Sequence, residues 1–423
     1  MGNSQSPPAD PRLASATRCF AKRELDELRT LFVSLASQSQ SSSKFISPSV
    51  FKSYFRIPGS LGDRMFDLVT QKRNDGMLTF EDLVIAKGTY EKGSRDEIEQ
   101  FIYQLVDVTG DGVVGRSDLE VVLTSMLDAV FNVEDGEHSV SSHQGVVDIF
   151  LNAVTFSEEV EGHAEECMSF TDIRKWWSVV PSARKFLGSL LMQPDPGSSD
   201  QVPNLLISEN ISPEMLLMKK EYAWHIAGAL SQPDVEEWKL LYHSSIHGLS
   251  FSTFLGNISN GGGPTVLLIK DTDGYIYGGY ASQPWEKHSD FYGDMKSFIF
   301  HIYPQASIYK PSGANTNLQW CAVNFSSESI PNGIGFGGRI NHFGLFLSAS
   351  FDQGHTFSCT TFDSPCLSKT SRICPEVIEC WGVVANGIHD EKNDNNVIKG
   401  TVLERFKEDR NMLNMVGIAN SSK

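Results

Sequence analysis

The stretch "DVTGDGVVGRSD", residues Asp107 to Asp118, spaces its oxygen-bearing side chains as a calcium-wrapping loop does. Such a loop offers oxygens from positions 1, 3, 5, 7, 9 and 12 and turns sharply on a glycine at position 6. Counting from Asp107, the ligands are Asp107, Thr109, Asp111, the Val113 carbonyl, a water at Gly115 and Asp118, with Gly112 at the turn. Val114 falls at position 8, where an apolar residue pairs with its counterpart in a neighbouring loop.

The flanks "EIEQFIYQLV" and "LEVVLTSML" are amphipathic, as the two helices of an EF-hand are. Thr109 replaces a carboxylate, and Asp118 is shorter than the bidentate Glu usual at position 12. The expectation is one calcium site of modest affinity that also admits magnesium. A companion loop upstream, "QKRNDGMLTFED", places Gln71, Arg73 and Asp75 at positions 1, 3 and 5, with Leu78 at 8 and Asp82 at 12. Arg73 sets a cation where a metal would sit, so this loop is expected to be empty and kept for a Leu78–Val114 pairing.

The theme of a turn, an apolar residue, a small polar one and a new helix recurs in "KFISPSVFKSYF", "DGMLTFEDLVIA", "DGVVGRSDLEVVL" and "CMSFTDIRKWW". The outer units lack acidic first positions or the turn glycine. "EGHAEECMSFTD", for example, carries Glu161 and Asp172 but has Glu166 in the glycine's place. Ahead of them, "RELDELRTLFVSLA" sets Leu25, Leu28, Leu31, Phe32 and Leu35 on one helical face. Residues 20–192 therefore read as an all-α, EF-hand-like domain.

The 423-residue chain is long enough for two or three domains. A net charge of −17 argues against nucleic acid, for want of a basic stripe to neutralise phosphates. No run approaches the roughly 20 apolar residues of a spanning helix. The seven cysteines are odd in number and follow no secretory h-region, which favours a reducing compartment. Cys359, Cys366, Cys374 and Cys380 invite zinc, but no pair has CxxC spacing, and buried thiols explain them better.

"MGNSQS" matches the N-myristoylation pattern, with Gly2 as acceptor and residues 1–19 as a flexible leader held extended by Pro7, Pro8 and Pro11. One myristoyl chain binds membranes with only about 10⁴ M⁻¹, so a second contact is needed. The interrupted basic set Arg12, Arg18, Lys22 and Arg23 is weaker for this than a membrane-bound partner protein.

Residues 193–204, "QPDPGSSDQVPN", form a linker. From 205 to 385 the pattern changes to short alternating runs after a helical lead-in, "SPEMLLMKKEYAWHIAGAL". "PTVLLIKDTDGYIYGGY" reads as two strands joined at Lys270 to Gly274, and Phe343, Leu345, Leu347, Ala349 and Phe351 alternate in another. Residues 386–423 carry a helical stripe of Val402, Leu403, Phe406, Leu413 and Val416, which either docks on its own domain or engages a partner.

Searches for a nucleophile elbow, a Walker loop or an HExxH helix find none. "GIGFGG" from Gly333 satisfies GxGxxG but no helix follows it, so it reads as a glycine-rich turn between strands. His243 and His247 with Ser244, Ser245 and Ser250 read as polar residues holding a turn.

The strings "WKLLYHSSIHGLSFSTFL", "GPTVLLIKDTDGYIYGGYASQPW", "FIFHIYPQASIYKPSGAN", "NHFGLFLSASFDQGHTFSCTTFDSPCLS" and "IECWGV" together resemble the TLDc domain. With the start and the helical region ahead of it, the chain resembles the myristoylated, lysosome-associated TLDc proteins of mTOR signalling, or a plant relative. The resemblance implies an antiparallel β-sandwich with flanking helices. It further implies a non-enzymatic regulator that binds the vacuolar-type proton ATPase and protects against oxidative stress, on the cytoplasmic face of lysosome or vacuole membranes and partly cytosolic. The alternative is a thiol-based antioxidant protein.

Overall fold

The computed structural model describes residues 11–39, 44–71, 73, 75–131, 143–157, 166–192, 202–208, 211–231, 236–259 and 262–384. The chain divides into two compact units, Met1–Ser199 and Asp200–Lys423. Gly2, residues 158–165 with Glu161, and the stripe from Val402 to Val416 lie outside the described residues.

The first unit is helical: α1 (Pro11–Arg18), α2 (Lys22–Ser37), α3 (Pro48–Phe55), α4 (Gly59–Val69), α5 (Phe80–Lys92), α6 (Arg95–Val106), α7 (Arg116–Phe131), α8 (Gln144–Leu151), α9 (Phe170–Val179) and α10 (Pro181–Leu187). Leu28, Phe32 and Leu35 of α2 are buried, as their spacing predicts, whereas Leu25 and Leu31 are not. Residues 11–18 are not an extended leader. Pro11 takes the first turn of α1, where its missing N–H costs nothing, and Ala16 lies over Gly88 of α5.

Side chains satisfy the orphan N–H groups at several helix starts. Thr79 and Asp82 exchange hydrogen bonds across the first turn of α5, Ser94 and Glu97 do so on α6, and Ser169 and Asp172 on α9.

The loops between helices pair differently from the expectation. Leu78 meets Ile46, with Ile46 N–H donating to the Leu78 carbonyl at 3.0 Å and the reverse bond at 3.2 Å. Val114 meets Met168, whose N–H donates to the Val114 carbonyl at 2.9 Å. The first helix–loop–helix thus pairs with the second and the third with the fourth. Each bridge gives two buried apolar residues and their backbone groups a partner within one pair, which a Leu78–Val114 contact would have taken from both.

The second unit is built on two sheets. Its elements are β1 (Asn204–Leu206), α11 (Lys220–Ala227), β2 (Glu237–His243), α12 (Ser244–His247), α13 (Phe251–Ser259), β3 (Thr265–Asp271), β4 (Ile276–Ala281), β5 (Phe298–Tyr303), β6 (Ser307–Tyr309), β7 (Gln319–Ala322), β8 (Gly333–Arg339), β9 (His342–Ser348), β10 (Gly354–His355), β11 (Arg372–Ile373) and β12 (Pro375–Val384). One sheet has seven strands in the order β1-β2-β12-β3-β4-β5-β6; the other has five, β11-β10-β9-β8-β7. All neighbours are antiparallel save β1 with β2, which run parallel and so qualify the purely antiparallel expectation. Ile269 and Ile299 of the first sheet share a core with Phe336 and Leu345 of the second, which makes the unit a sandwich.

Two local readings change. The lead-in is helical only over Lys220–Ala227, after a short 3₁₀ turn at Pro213–Met215. "GIGFGG" is no turn but the strand β8, paired with β7 and β9. A Cβ on Gly333 would lie 2.1 Å from the Leu347 carbonyl oxygen, so the glycine is needed where β9 comes close.

Candidate functional site

Asp107 ends α6, and its carboxylate turns back into the loop it begins. Oδ1 accepts from Gly110 N–H at 2.7 Å and Oδ2 from Gly112 N–H at 3.1 Å. Oδ2 also accepts from Arg64 Nη2 at 3.1 Å, and both side chains are buried. Asp118 lies in the first turn of α7, where Oδ2 accepts from Gly115 N–H at 3.0 Å and Oδ1 from Thr109 N–H at 3.1 Å. Asp111 Oδ1 accepts from Val113 N–H at 2.9 Å, and the Thr109 hydroxyl donates to Asp107 Oδ1 at 3.4 Å.

The loop therefore closes on its own carboxylates. Calcium would need six to eight oxygens at about 2.3–2.6 Å around one point. Among the described residues no three of His, Cys, Asp or Glu converge in that way. Asp107 is already paired with a cation, and both oxygens of Asp118 are held by N–H donors. In this arrangement the donor set does not fit a divalent ion.

The neighbouring loops show the same economy. Arg73 Nη1 and Nη2 donate to the two oxygens of Asp82 at 3.0 and 2.5 Å, and Nε lies 3.3 Å from Asp75 Oδ2. Arg73 thus stands as the loop's cation, as the sequence suggests. Asp172 is capped by Ser169 N–H at 3.1 Å and by hydroxyls of Ser169 and Ser157. Burial pushes its carboxyl up, but these donors outweigh it and leave the group below its ordinary range. Position 12 in each of these three loops is the third residue of the exit helix, and there the short Asp serves its helix start. Arg64 escaped sequence reasoning because 43 residues separate it from Asp107.

In the sandwich, one polar cluster gathers on Glu379, which is fully buried in β12. Its oxygens accept from Leu217 N–H at 2.5 Å, Met218 N–H at 3.1 Å and Trp381 Nε1 at 3.0 Å. His243 Nε2 lies 3.5 Å from Glu379 Oε1 and 3.1 Å from the Met215 carbonyl. Burial pushes the Glu379 carboxyl up, against the pull of these donors. His243 Nδ1 accepts from Ser245 N–H at 3.2 Å, and Ser244 Oγ accepts from Ile378 N–H at 3.0 Å. Neither serine hydroxyl is bonded to the imidazole, so the cluster has the form of a brace that fastens residues 215–218 to the sheet.

Residues 211–384, which contain both sheets apart from β1, match the TLDc domain family. The chain carries a TLDc domain. Among relatives, MTOR-associated protein MEAK7 of Danio rerio is 37% identical over 183 residues, which are 43% of this chain and 39% of that protein. MTOR-associated protein MEAK7 of Gallus gallus is 25% identical over 435 residues, 90% of each chain. Oxidation resistance protein 1 of Bos taurus is 31% identical over 144 residues, 34% of this chain and 16% of that protein. The Danio rerio and Bos taurus matches thus span well under two thirds of those proteins.

The seven thiols are all free. In the TLDc domain, burial pushes Cys380 up to about 12, and Cys321 rises likewise. That is the wrong direction for a reactive thiolate. Cys366 donates weakly to the Thr356 and Thr370 carbonyls at 3.3 and 3.4 Å. Cys19 and Cys374 are exposed.

Proposed function

We propose that the chain is a non-enzymatic regulatory adaptor whose TLDc domain docks on a large membrane-bound complex. The peripheral part of the vacuolar-type proton ATPase is the partner favoured by the TLDc resemblance. Myristate on Gly2 and that partner together would hold the protein to lysosome or vacuole membranes, since one acyl chain alone is a marginal anchor. One observation carries the reading. Similarity to an mTOR-associated protein extends over 90% of this chain, helical half included, so the two units are shared as a pair. The brace at Glu379 is consistent with it, because this buried carboxylate and His243 hold the backbone of residues 215–218.

Calcium, expected from the loop spacing, is in this reading a modulator of the helical half and not its structural cofactor, because the loop's carboxylates are satisfied by the chain itself. The test is recovery of proton-pump subunits from solubilised lysosomal or vacuolar membranes by the full chain, with and without Gly2→Ala. Recovery of pump subunits from detergent by both forms, with membrane association reduced for Gly2→Ala, is the expected result. Failure of both forms to retain any subunit would sink the partner assignment.

The relative named for oxidation resistance keeps a thiol-based antioxidant as the second reading. Replacing all seven cysteines by serine and finding stress protection intact would dispose of it.

A further inference from the structure

We propose that Arg64 is the resident cation of the Asp107–Asp118 loop, and that a divalent ion loads this loop only by expelling it. The inference does not rest on the adaptor reading.

Arg64 comes from α4, in the first pair of helix–loop–helix units, while the loop belongs to the second pair. Its Nε donates to the Gln104 carbonyl at 2.9 Å and its Nη2 to Asp107 Oδ2 at 3.1 Å. The guanidinium thus staples α4 to the last turn of α6 and covers the first ligand position. The loop's glycines differ in what they admit. Gly112 has open space where a Cβ would stand, as a turn glycine can. A Cβ on Gly110 would lie 2.8 Å from Arg64 Nη1, so the guanidinium occupies the room left by the missing side chain.

Both partners are buried, with side-chain exposures of 7% for Arg64 and 5% for Asp107. Removing one member of such a pair leaves a buried charge without compensation. A divalent cation could take over the charge of Asp107, but Oδ2 already accepts from Gly112 N–H and Arg64 Nη2, so both of its lone pairs are taken and the ion must displace a donor, of which the charged guanidinium is the one it repels. Metal entry and the Arg64–Asp107 pair are therefore mutually exclusive. Loading the loop would break this contact between α4 and the end of α6, leaving the Gln104 bond, and so loosen how the two pairs are held together. The apparent affinity for the ion is lowered by the fraction of molecules in which Arg64 is out: a tenth or less means a loss of about tenfold or more.

The test uses the full chain and calcium chloride in a titration calorimeter, comparing wild type, Arg64→Gln, Arg64→Lys and the double variant Arg64→Gln/Asp107→Asn. Arg64→Gln should bind calcium at least about tenfold more tightly than wild type, reaching the millimolar range or better, and the double variant should lose this gain. Arg64→Lys, which keeps the charge but not the two-point reach, should fall between. A wild type that binds nothing beside an Arg64→Gln chain that binds would support the inference while removing calcium from the proposed function. Equal affinity in wild type and Arg64→Gln would overturn it, as would silence of both. Melting curves followed by circular dichroism check that each variant is folded. Should Arg64→Gln not fold, Arg64→Lys decides: no gain over wild type overturns the inference.

Discussion

Arg73 grips both carboxylate oxygens of Asp82 across the loop that joins α4 to α5, at 3.0 and 2.5 Å. Asp82 is buried, and it also accepts from Thr79 N–H at 2.9 Å and the Thr79 hydroxyl at 2.6 Å. One side chain therefore closes a loop and starts a helix.

Arg73→Ala should destabilise the helical unit by about 1–2 kcal/mol, because a buried carboxylate loses its charged partner but keeps its cap. Urea denaturation measures the loss. The variant should gain no calcium binding, since Gln71 contributes no charge at the first position. A gain of calcium heat would contradict the account of this loop.

Glu379→Gln exchanges one acceptor oxygen for an NH₂ group facing N–H donors. The expected cost is about 1–3 kcal/mol, read from chemical denaturation. Amide exchange at Leu217 and Met218 should accelerate more than at Leu268 in the sheet interior. Uniform acceleration would mean the brace is not local.

His225 sits in the buried face of α11, and burial holds its imidazole down to about 3 from an ordinary 6.5. Between these values the unfolded chain takes up a proton that the native chain refuses. Stability is thus fully present above 6.5 and is lost as pH falls toward 3, at up to about 1.4 kcal/mol per pH unit from this group. His225→Gln should flatten the slope between pH 6.5 and 5. Parallel slopes for variant and wild type would rule this source out.

Gly278 lies in β4 between β3 and β5, and an added Cβ would sit 1.8 Å from the Leu267 carbonyl oxygen. Gly278→Ala should cost about 3 kcal/mol or more, because backbone on a neighbouring strand must move. Gly145→Ala in α8, with nothing near the new methyl, should be neutral or slightly stabilising by thermal melting.

Much of the helical half was legible locally. The spacing of Leu28, Phe32 and Leu35 and the Thr-x-x-Asp and Ser-x-x-Asp starts at Thr79 and Ser169 each refer to neighbours within one or two turns. Those same starts carry a second reading. An Asp in the third helical position is also position 12 of a calcium loop, and at Asp82, Asp118 and Asp172 that side chain takes part in the helix start. The Leu78–Val114 pairing failed for a related reason: apolar residues at equivalent positions do not say which loop lies beside which.

The sequence by itself determined the two-part division, the repeated helix–loop–helix theme, the β3–β4 hairpin and the TLDc character of the region read as 205–385, of which 211–384 match the family, because these are written in contiguous patterns. Only the tertiary structure decided that β2 lies beside β12, that Glu379 fastens residues 217 and 218, and that Arg64 meets Asp107. Each joins residues far apart along the chain. Burial of charge and hydrogen-bonding groups, which periodicity does not encode, selects the partner.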